Sequence, residues 1–131
     1  MLTKQFASDF AKNWIETWNS HDLDRILEHY SDDFEMKSPF IELMGLGSAG
    51  TLKPKSSVRE YWGKALDKYP DLHFELLDVY VSVDSICLRY KSIANLTAVE
   101  WLRFDSEGKV VSASGHYNEI PTPSTPTEKP A

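Results

Sequence analysis

One acidic residue, Glu100, interrupts the apolar side of a regular strand pattern and is the first candidate for chemistry. Because side chains two residues apart point to the same face of a strand, it shares a face with Ala98, Leu102 and Phe104. If this face points inward, burial would favour the neutral carboxyl, raise its pKa and make Glu100 a candidate acid or base. If both faces are reversed, Glu100 is simply exposed, and the alternation alone does not decide.

The strand that follows is predicted to leave space beside Glu100. Residues 105–108 are typical of a four-residue hairpin turn, which would pair Glu100 with Ala113 and Ala98 with Gly115. Ala113 and Gly115 are small, so a neighbouring molecule could reach the carboxyl.

The same hairpin decides where Tyr117 and His116 point. With regular pairing, Tyr117 shares the face of Glu100, whereas His116 lies on the outside. A one-residue bulge would invert this arrangement and make His116 a base inside the cavity. Both positions of His116 stay open, and the pattern favours the outer one.

The remaining histidines and the single cysteine do not form a reactive cluster in the sequence. His21 and His29 lie eight residues apart across a helix corner, without the i, i+4 spacing that would place two zinc ligands on one helical face. Cys87 alternates with Ile86 and Leu88 and is interpreted as a strand residue rather than a nucleophile. We therefore predict no metal site.

The stretch Gly45 to Gly50 matches the dinucleotide-binding pattern G-x-G-x-x-G. That pattern works only between a parallel strand and a helix, and here Pro54 follows closely and no parallel βαβ repeat is present. We therefore predict no cofactor. The stretch is interpreted as a Gly-rich loop within a long loop over residues 39–53, and it could act as a lid over a cavity mouth.

Three helices are predicted from apolar stripes with helical spacing. The first stripe consists of Phe6, Phe10, Trp14 and Trp18. The second follows an N-cap at Asp22 and consists of Leu23, Ile26, Leu27 and Tyr30. The third follows a capping box formed by Ser57 and Glu60 and consists of Val58, Tyr61, Trp62, Ala65, Leu66 and Tyr69.

Strands dominate the second half of the chain, after one short strand at residues 34–38. Alternation changes phase between Leu76 and Leu77, which predicts a bulge, and further strands are predicted at residues 86–90, 97–104 and 109–117. The order α-α-β-α-β-β-β-β predicts an α+β fold, in which a curved, mostly antiparallel sheet wraps around the three helices.

Composition limits the classes of partner. The 131 residues carry a formal net charge of −6, which disfavours binding to nucleic acid or to anionic membranes. The first twenty residues lack the apolar core of a signal peptide, so we expect a soluble, cytoplasmic protein. We predict one domain at residues 1–120 and a flexible Pro/Thr-rich tail at residues 121–131.

Four segments together resemble the SnoaL-like branch of the nuclear transport factor 2-like superfamily. They are Trp14 to Asp22, His29 to Phe34, Val58 to Trp62 and Arg103 to Val110, within a resemblance that spans residues 6 to about 118. It implies a cone-shaped α+β fold with a deep central pocket, and a homodimer formed through the outer face of the sheet.

The resemblance also implies which residues line the pocket. They are Trp14, Trp18, Tyr30, Met36, Trp62 and Tyr117, with Ser38 and Glu100 as polar points. These aromatic side chains could instead fill the cone as core. In the steroid isomerases of the superfamily, the catalytic base occupies the position of Ser38, and an oxyanion-hole tyrosine occupies that of Trp14. Because neither the base nor this tyrosine is retained here, steroid-type isomerisation is not predicted.

Two classes of function follow. In the first, the pocket holds a small hydrophobic molecule, such as a cyclic or polyketide-like metabolite, and Glu100 is the catalytic acid or base of an isomerase, cyclase, dehydratase or hydrolase. In the second, the chain is a non-catalytic ligand-binding or dimerisation domain. Because many activities share this fold, the fold alone does not choose between them.

Overall fold

The computed structural model of the chain describes residues 1–120. Its α-helices are α1 (Lys4–Ser20), α2 (Leu23–Leu27), α3 (Pro39–Leu43) and α4 (Lys55–Lys68). Its strands are β1 (Tyr30–Lys37), β2 (Thr51–Leu52), β3 (Glu75–Val81), β4 (Ser85–Lys91), β5 (Thr97–Phe104) and β6 (Val110–Tyr117), and a short 3-10 turn, Ile93–Asn95, precedes β5.

The six strands form one curved, open sheet in the order β2-β1-β6-β5-β4-β3. Neighbouring strands are antiparallel except for β1 and β6, which run parallel. The predicted α+β class with a mostly antiparallel sheet is therefore confirmed. Since β5 lies in the interior of the sheet, its inward side chains face the middle of the core.

The first helix begins and ends where the sequence indicates, and the second begins there but ends at Leu27, before Tyr30. The Thr3 side chain accepts a hydrogen bond from the backbone N–H of Phe6 at 3.0 Å, and α1 ends at His21, which has a positive φ of 61°. Asp22 caps α2 by accepting from the Arg25 N–H at 3.3 Å, which confirms the predicted N-cap. These caps fix both ends of α1 and the start of α2.

The predicted bulge in β3 is present. The pairing of β3 with β4 shifts register between Leu76 and Asp78, where the alternation of the sequence changes phase. A bulge of this kind bends an edge strand and increases its twist, which contributes to the curvature of the sheet.

Three boundaries differ from the prediction. The loop expected over residues 39–53 contains α3 and β2, because Ser38 caps a helix with Pro39 at its first position, a favoured arrangement. The capping box at Ser57 is wrong: the N–H groups of Ser57 and Val58 already bond to the Pro54 carbonyl, so α4 begins at Lys55. Strand β1 begins four residues earlier than predicted, at Tyr30.

The core lies between the helices and the concave face of the sheet. Its fully buried large side chains include Trp14, Tyr30, Phe34, Ile86 and Leu88. In the described part of the chain, no helix combines the length and apolar character needed to cross a membrane. The predicted tail at residues 121–131 lies outside the described residues.

Candidate functional site

A cavity of about 220 Å³ remains between the helices and the sheet, so the aromatic stripes do not fill the cone completely. Helices α1, α3 and α4 and four of the strands contribute to its wall. Nine of the twenty lining residues are aromatic, namely Trp14, Trp18, Phe40, Tyr61, Trp62, Tyr69, Phe74, Tyr90 and Tyr117, and the others include Met36, Ser38, Glu100 and residues of the mouth.

Glu100 points inward and is 4% exposed. It sits in β5 between Leu88 of β4 and Gly115 of β6, and its carboxyl lines the cavity. The Tyr90 hydroxyl donates a hydrogen bond to its Oε1 atom at 3.1 Å. Within residues 1–120, no donor is bonded to the second oxygen, Oε2, which leaves that atom free to meet a molecule in the cavity.

Two opposing effects set the proton affinity of Glu100. Burial raises its pKa, because an apolar environment disfavours the charged carboxylate, and the hydrogen bond from Tyr90 lowers it, because the hydroxyl stabilises that charge. The net result is a pKa of about 7. Near neutral pH, comparable fractions of Glu100 carry and lack the proton, so it can serve either as an acid or as a base.

Four buried tyrosines lie near enough to Glu100 for its charge to affect their hydroxyls. Burial, and then the negative charge of Glu100, raises the pKa of Tyr30, Tyr61, Tyr90 and Tyr117. All four phenols therefore keep their protons across the physiological range. Tyr61, Tyr90 and Tyr117 line the cavity, so their hydroxyls can donate hydrogen bonds to Glu100 or to an oxygen atom of a bound molecule.

Ser38 and Tyr117 meet Glu100 around Gly115. A Cβ atom built on Gly115 would lie 3.6 Å from Glu100 Oε1, 3.7 Å from Ser38 Oγ and 3.7 Å from Tyr117 Cε1. The absence of a side chain at Gly115 therefore brings three polar residues to one point of the wall. Ser38 Oγ also accepts a hydrogen bond from the Phe40 N–H at 3.2 Å, which fixes its orientation.

Tyr30 is the predicted pocket residue that the structure places elsewhere. It is 2% exposed and does not line the cavity. Its hydroxyl accepts a 2.8 Å hydrogen bond from Trp14 Nε1, so the ring packs behind the wall and supports it. Tyr30 is the first residue of β1, whereas its spacing predicted that it belongs to the second helix.

The mouth of the cavity is formed by α3, α4 and the 3-10 turn. Leu43 and Met44 are partly exposed there, and Lys64 and Lys68 lie on the α4 side. The stretch Gly45 to Gly50 follows Met44 directly without lining the cavity itself.

The β5–β6 pairing differs from the predicted register by two residues. Glu100 pairs with Gly115 instead of Ala113, because Phe104 pairs with Val110 rather than Lys109 and the register shifts by one further residue between Phe104 and Arg103. A shift of two leaves every side chain on its predicted face. His116 is accordingly exposed on the outer face, and Tyr117 lines the cavity.

Sequence reasoning missed Tyr90, although a signal was present. Alternation in β4 placed Tyr90 on the same face as Ile86 and Leu88, and that strand pairs with β5 beside Glu100. Lys64 and Lys68 were also missed, and no sequence signal identifies them, since their place at the mouth depends on the curvature of the sheet.

The arrangement suits proton transfer within an apolar enclosure. It combines one carboxyl that titrates near neutral pH, several phenol donors and largely apolar walls. Within residues 1–120, no group of three or more His, Cys, Asp or Glu side chains could hold a metal ion.

Comparison with known proteins identifies relatives of this arrangement. Residues 11–113 match the family model for the SnoaL-like domain. A SnoaL-like protein of unknown function from Burkholderia thailandensis is 41% identical, with a TM-score of 0.86 over 91% of this chain and 100% of that chain. No curated protein matches the chain at a significant level.

Two further solved structures share the fold at lower identity. AclR from Streptomyces galilaeus, a suggested hydroxylase, is 20% identical with a TM-score of 0.68, over 88% of this chain and 91% of that chain. IdmH from Streptomyces antibioticus, a suggested polyketide cyclase, is 18% identical with a TM-score of 0.67, over 86% and 91%. At these identities the likeness concerns the fold alone.

Proposed function

Because the chain belongs to the SnoaL-like domain family, we propose that it binds a small, largely hydrophobic molecule in the aromatic cavity and transfers a proton to or from it through Glu100. The observation that carries this proposal is the buried carboxyl of Glu100, which lines the cavity and has a pKa of about 7. A structural role alone does not call for a titratable group in that position, since burying a charge is costly.

The size of the cavity supports a small ligand. About 220 Å³ lies below the range of roughly 300–1,000 Å³ that drug-sized ligands occupy. A one-ring or two-ring molecule, such as a cyclic metabolite or a short polyketide-like compound, suits this space. Flat rings would stack against Trp18, Trp62 and Phe74, whose faces and edges form much of the wall.

The proposed step is general acid–base catalysis. The ionised Glu100 carboxylate removes a proton from a carbon or oxygen of the ligand, and the phenols of Tyr117 and Tyr61 donate hydrogen bonds to the oxygen on which negative charge develops. The protonated carboxyl then returns the proton to another atom of the ligand or to water. Isomerisation, cyclisation, dehydration and hydrolysis can each contain such a step.

A model reaction tests this chemistry without the natural substrate. The substrate 5-nitrobenzisoxazole is a two-ring molecule from which a base removes the proton at C3. The electrons of the C–H bond form the nitrile, and those of the breaking N–O bond stay on oxygen, which gives a coloured cyanophenolate. We expect the protein to accelerate this opening above the buffer rate. The rate should increase as the pH rises through about 7, because only ionised Glu100 acts as a base.

Matched variants identify the base. Glu100→Gln keeps the shape of the side chain and should reduce the rate to that of buffer, whereas Glu107→Gln, at an exposed turn, should leave it unchanged. An equal rate for Glu100→Gln and the unsubstituted protein would contradict the catalytic role. Calorimetry with 2-naphthamide, a neutral two-ring compound, tests the cavity separately, and absence of binding would contradict the binding role.

One observation favours the second candidate, a ligand-binding domain without catalysis. Ser38, the other polar point of the inner wall, uses its oxygen to cap α3 through Phe40 and is thereby less available to a substrate. This candidate predicts that 2-naphthamide binds while the protein and Glu100→Gln show the same rate of ring opening.

We also propose that two copies pair through the outer face of the sheet. Val99 and Trp101 of β5 lie on this face, opposite to Glu100, and both are half-buried in the single chain. A large aromatic residue in the middle of a sheet face is typical of a protein interface.

A further inference from the structure

The charged residues that line the cavity are unevenly placed. Glu100 lies on the inner wall and is buried, whereas Lys64 and Lys68 lie at the mouth and are exposed. The two lysines are four residues apart on α4, so their side chains project from the same face of the helix, one turn apart.

The positive charge at the mouth contrasts with the rest of the chain. The formal net charge of the chain is −6. In the described part of the chain, however, the residues that line the cavity include two cationic side chains, Lys64 and Lys68, and one acidic side chain, Glu100. Lys64 Nζ lies 3.7 Å from Glu60 Oε1 in an exposed i, i+4 pair, which contributes little in water. Among residues 1–120, no carboxylate forms an ion pair with Lys68.

Resting on the function proposed above, we propose that the ligand is an amphipathic organic anion, with a carboxylate held by Lys64 and Lys68 at the mouth and an apolar ring system inside the cavity. The opposite orientation is disfavoured, because the ligand carboxylate would then lie beside the partly ionised Glu100, whose burial weakens the screening of the repulsion. The charges thus fix the orientation of the ligand. Its carboxylate lies at the mouth, and its opposite end faces Glu100.

The lysines also have a simpler role. A cation near the C-terminus of a helix interacts favourably with the helix dipole, and Lys68 lies in the last turn of α4. That role stabilises the fold and does not depend on the charge of a ligand. A comparison of charged and neutral ligands of the same shape therefore separates the two roles.

Calorimetry with 2-naphthoate and 2-naphthamide makes this comparison. The two compounds share a ring system that suits the cavity and differ in the charge of the group attached to it. We expect 2-naphthoate to bind more tightly by roughly three- to tenfold at low salt, and the difference to shrink as salt is added. In the double variant K64Q/K68Q, the affinity for 2-naphthoate should fall to that for 2-naphthamide.

The double variant K4Q/K12Q is the matched control, since it removes two exposed positive charges from α1, away from the cavity. It should retain the preference for 2-naphthoate. Equal affinities for the two compounds in the unsubstituted protein would overturn the inference while leaving the proposed binding function intact. An equal loss of 2-naphthoate affinity in K4Q/K12Q would also overturn it, and failure of both compounds to bind would contradict the proposed function itself.

Discussion

The Tyr90 hydroxyl donates a hydrogen bond to Glu100 Oε1 at 3.1 Å, across two neighbouring strands and inside the core. This contact holds the carboxyl in one orientation and partly offsets the cost of burying its charge. Without this hydrogen bond, burial alone would act on the pKa of Glu100 and would raise it further. Tyr90 is therefore a positioning residue that sets the pH at which Glu100 changes its charge.

Replacing Tyr90 with phenylalanine should raise the pKa of Glu100, so that Glu100 acts as a base only at a higher pH than in the unsubstituted protein. A hydrogen bond to a charged group contributes about 1.5–3 kcal/mol, so the midpoint of the pH–rate profile for 5-nitrobenzisoxazole should move upward by about one to two pH units. The rate well above this midpoint should be retained. Tyr61→Phe is the control for the midpoint, which it should leave unchanged while lowering the rate, because Tyr61 lines the cavity without a hydrogen bond to Glu100 in the described residues. An unchanged midpoint in Tyr90→Phe would show that the contact does not tune the carboxyl.

The stability of the protein should fall between about pH 4.5 and 7. The pKa of Glu100 is raised from 4.5 to about 7 by folding, so the folded chain binds this proton more tightly. Below the lower pKa both states are protonated. Between the two pKa values only the unfolded state ionises, which lowers the free energy of unfolding by about 3 kcal/mol in total, and above the upper pKa the loss is complete.

Urea unfolding of Glu100→Gln measures this contribution. Near pH 8 the variant should be more stable than the unsubstituted protein by up to about 3 kcal/mol, and near pH 4.5 the difference should vanish. Glu107→Gln, at an exposed turn, should follow the unsubstituted protein at both pH values. A difference for Glu100→Gln that does not depend on pH would mean that the carboxyl is not desolvated in the fold.

Gly115→Ala should narrow the inner end of the cavity without unfolding the protein. The added methyl group would lie in ordinary contact with Glu100, Ser38 and Tyr117, at 3.6–3.7 Å. We expect the affinity for 2-naphthamide to fall roughly tenfold, the effect of about one methylene in a tight pocket.

Gly63→Ala provides the control for this substitution. Its Cβ would lie 3.5 Å from Leu23 Cδ2, outside the cavity, and alanine in a helix interior should raise stability by up to about 1 kcal/mol. Its affinity for 2-naphthamide should be unchanged. If Gly115→Ala binds 2-naphthamide as well as Gly63→Ala does, the ligand does not reach the inner wall.

Trp101→Glu should separate the proposed homodimer into monomers. The substitution places a charge in the middle of the outer face, where an apolar interface would have to bury it. Light scattering during size-exclusion chromatography measures the change in mass. Val83→Glu adds the same charge at a position that is 65% exposed near the β3–β4 turn, and it should remain dimeric. A monomeric unsubstituted protein would refute the interface.

Alternation in β5 placed Glu100 on one face with Ala98, Leu102 and Phe104, but it did not decide whether that face points inward. The predicted strand, residues 97–104, coincides with the observed one, and Ala98, Leu102 and Phe104 are buried with Glu100. The register of β6 could not be predicted, because the irregularity near Phe104 depends on hydrogen bonds rather than on the apolar pattern.

The parts of the site that sequence did not supply depend on long-range geometry. Tyr90 reaches Glu100 only because β4 and β5 pair in one particular register, and Lys64 reaches the mouth only because the sheet curves beneath α4. Tyr30 was assigned to the second helix because the apolar periodicity of α2 continues by coincidence into β1. The aromatic character of a residue therefore predicted the cavity wall better than the helix or strand to which that residue was assigned.

Three of the four tryptophans, Trp14, Trp18 and Trp62, line the cavity, while Trp101 lies on the opposite side of the sheet. An indole changes its emission when the polarity around it changes, so displacement of water from the cavity would alter the fluorescence of these three side chains together. The protein thus carries its own optical reporter of occupancy, and Trp101→Phe would remove the background. Libraries of metabolites could therefore be screened against the unlabelled protein, and a change in tryptophan fluorescence would identify compounds that bind in the cavity.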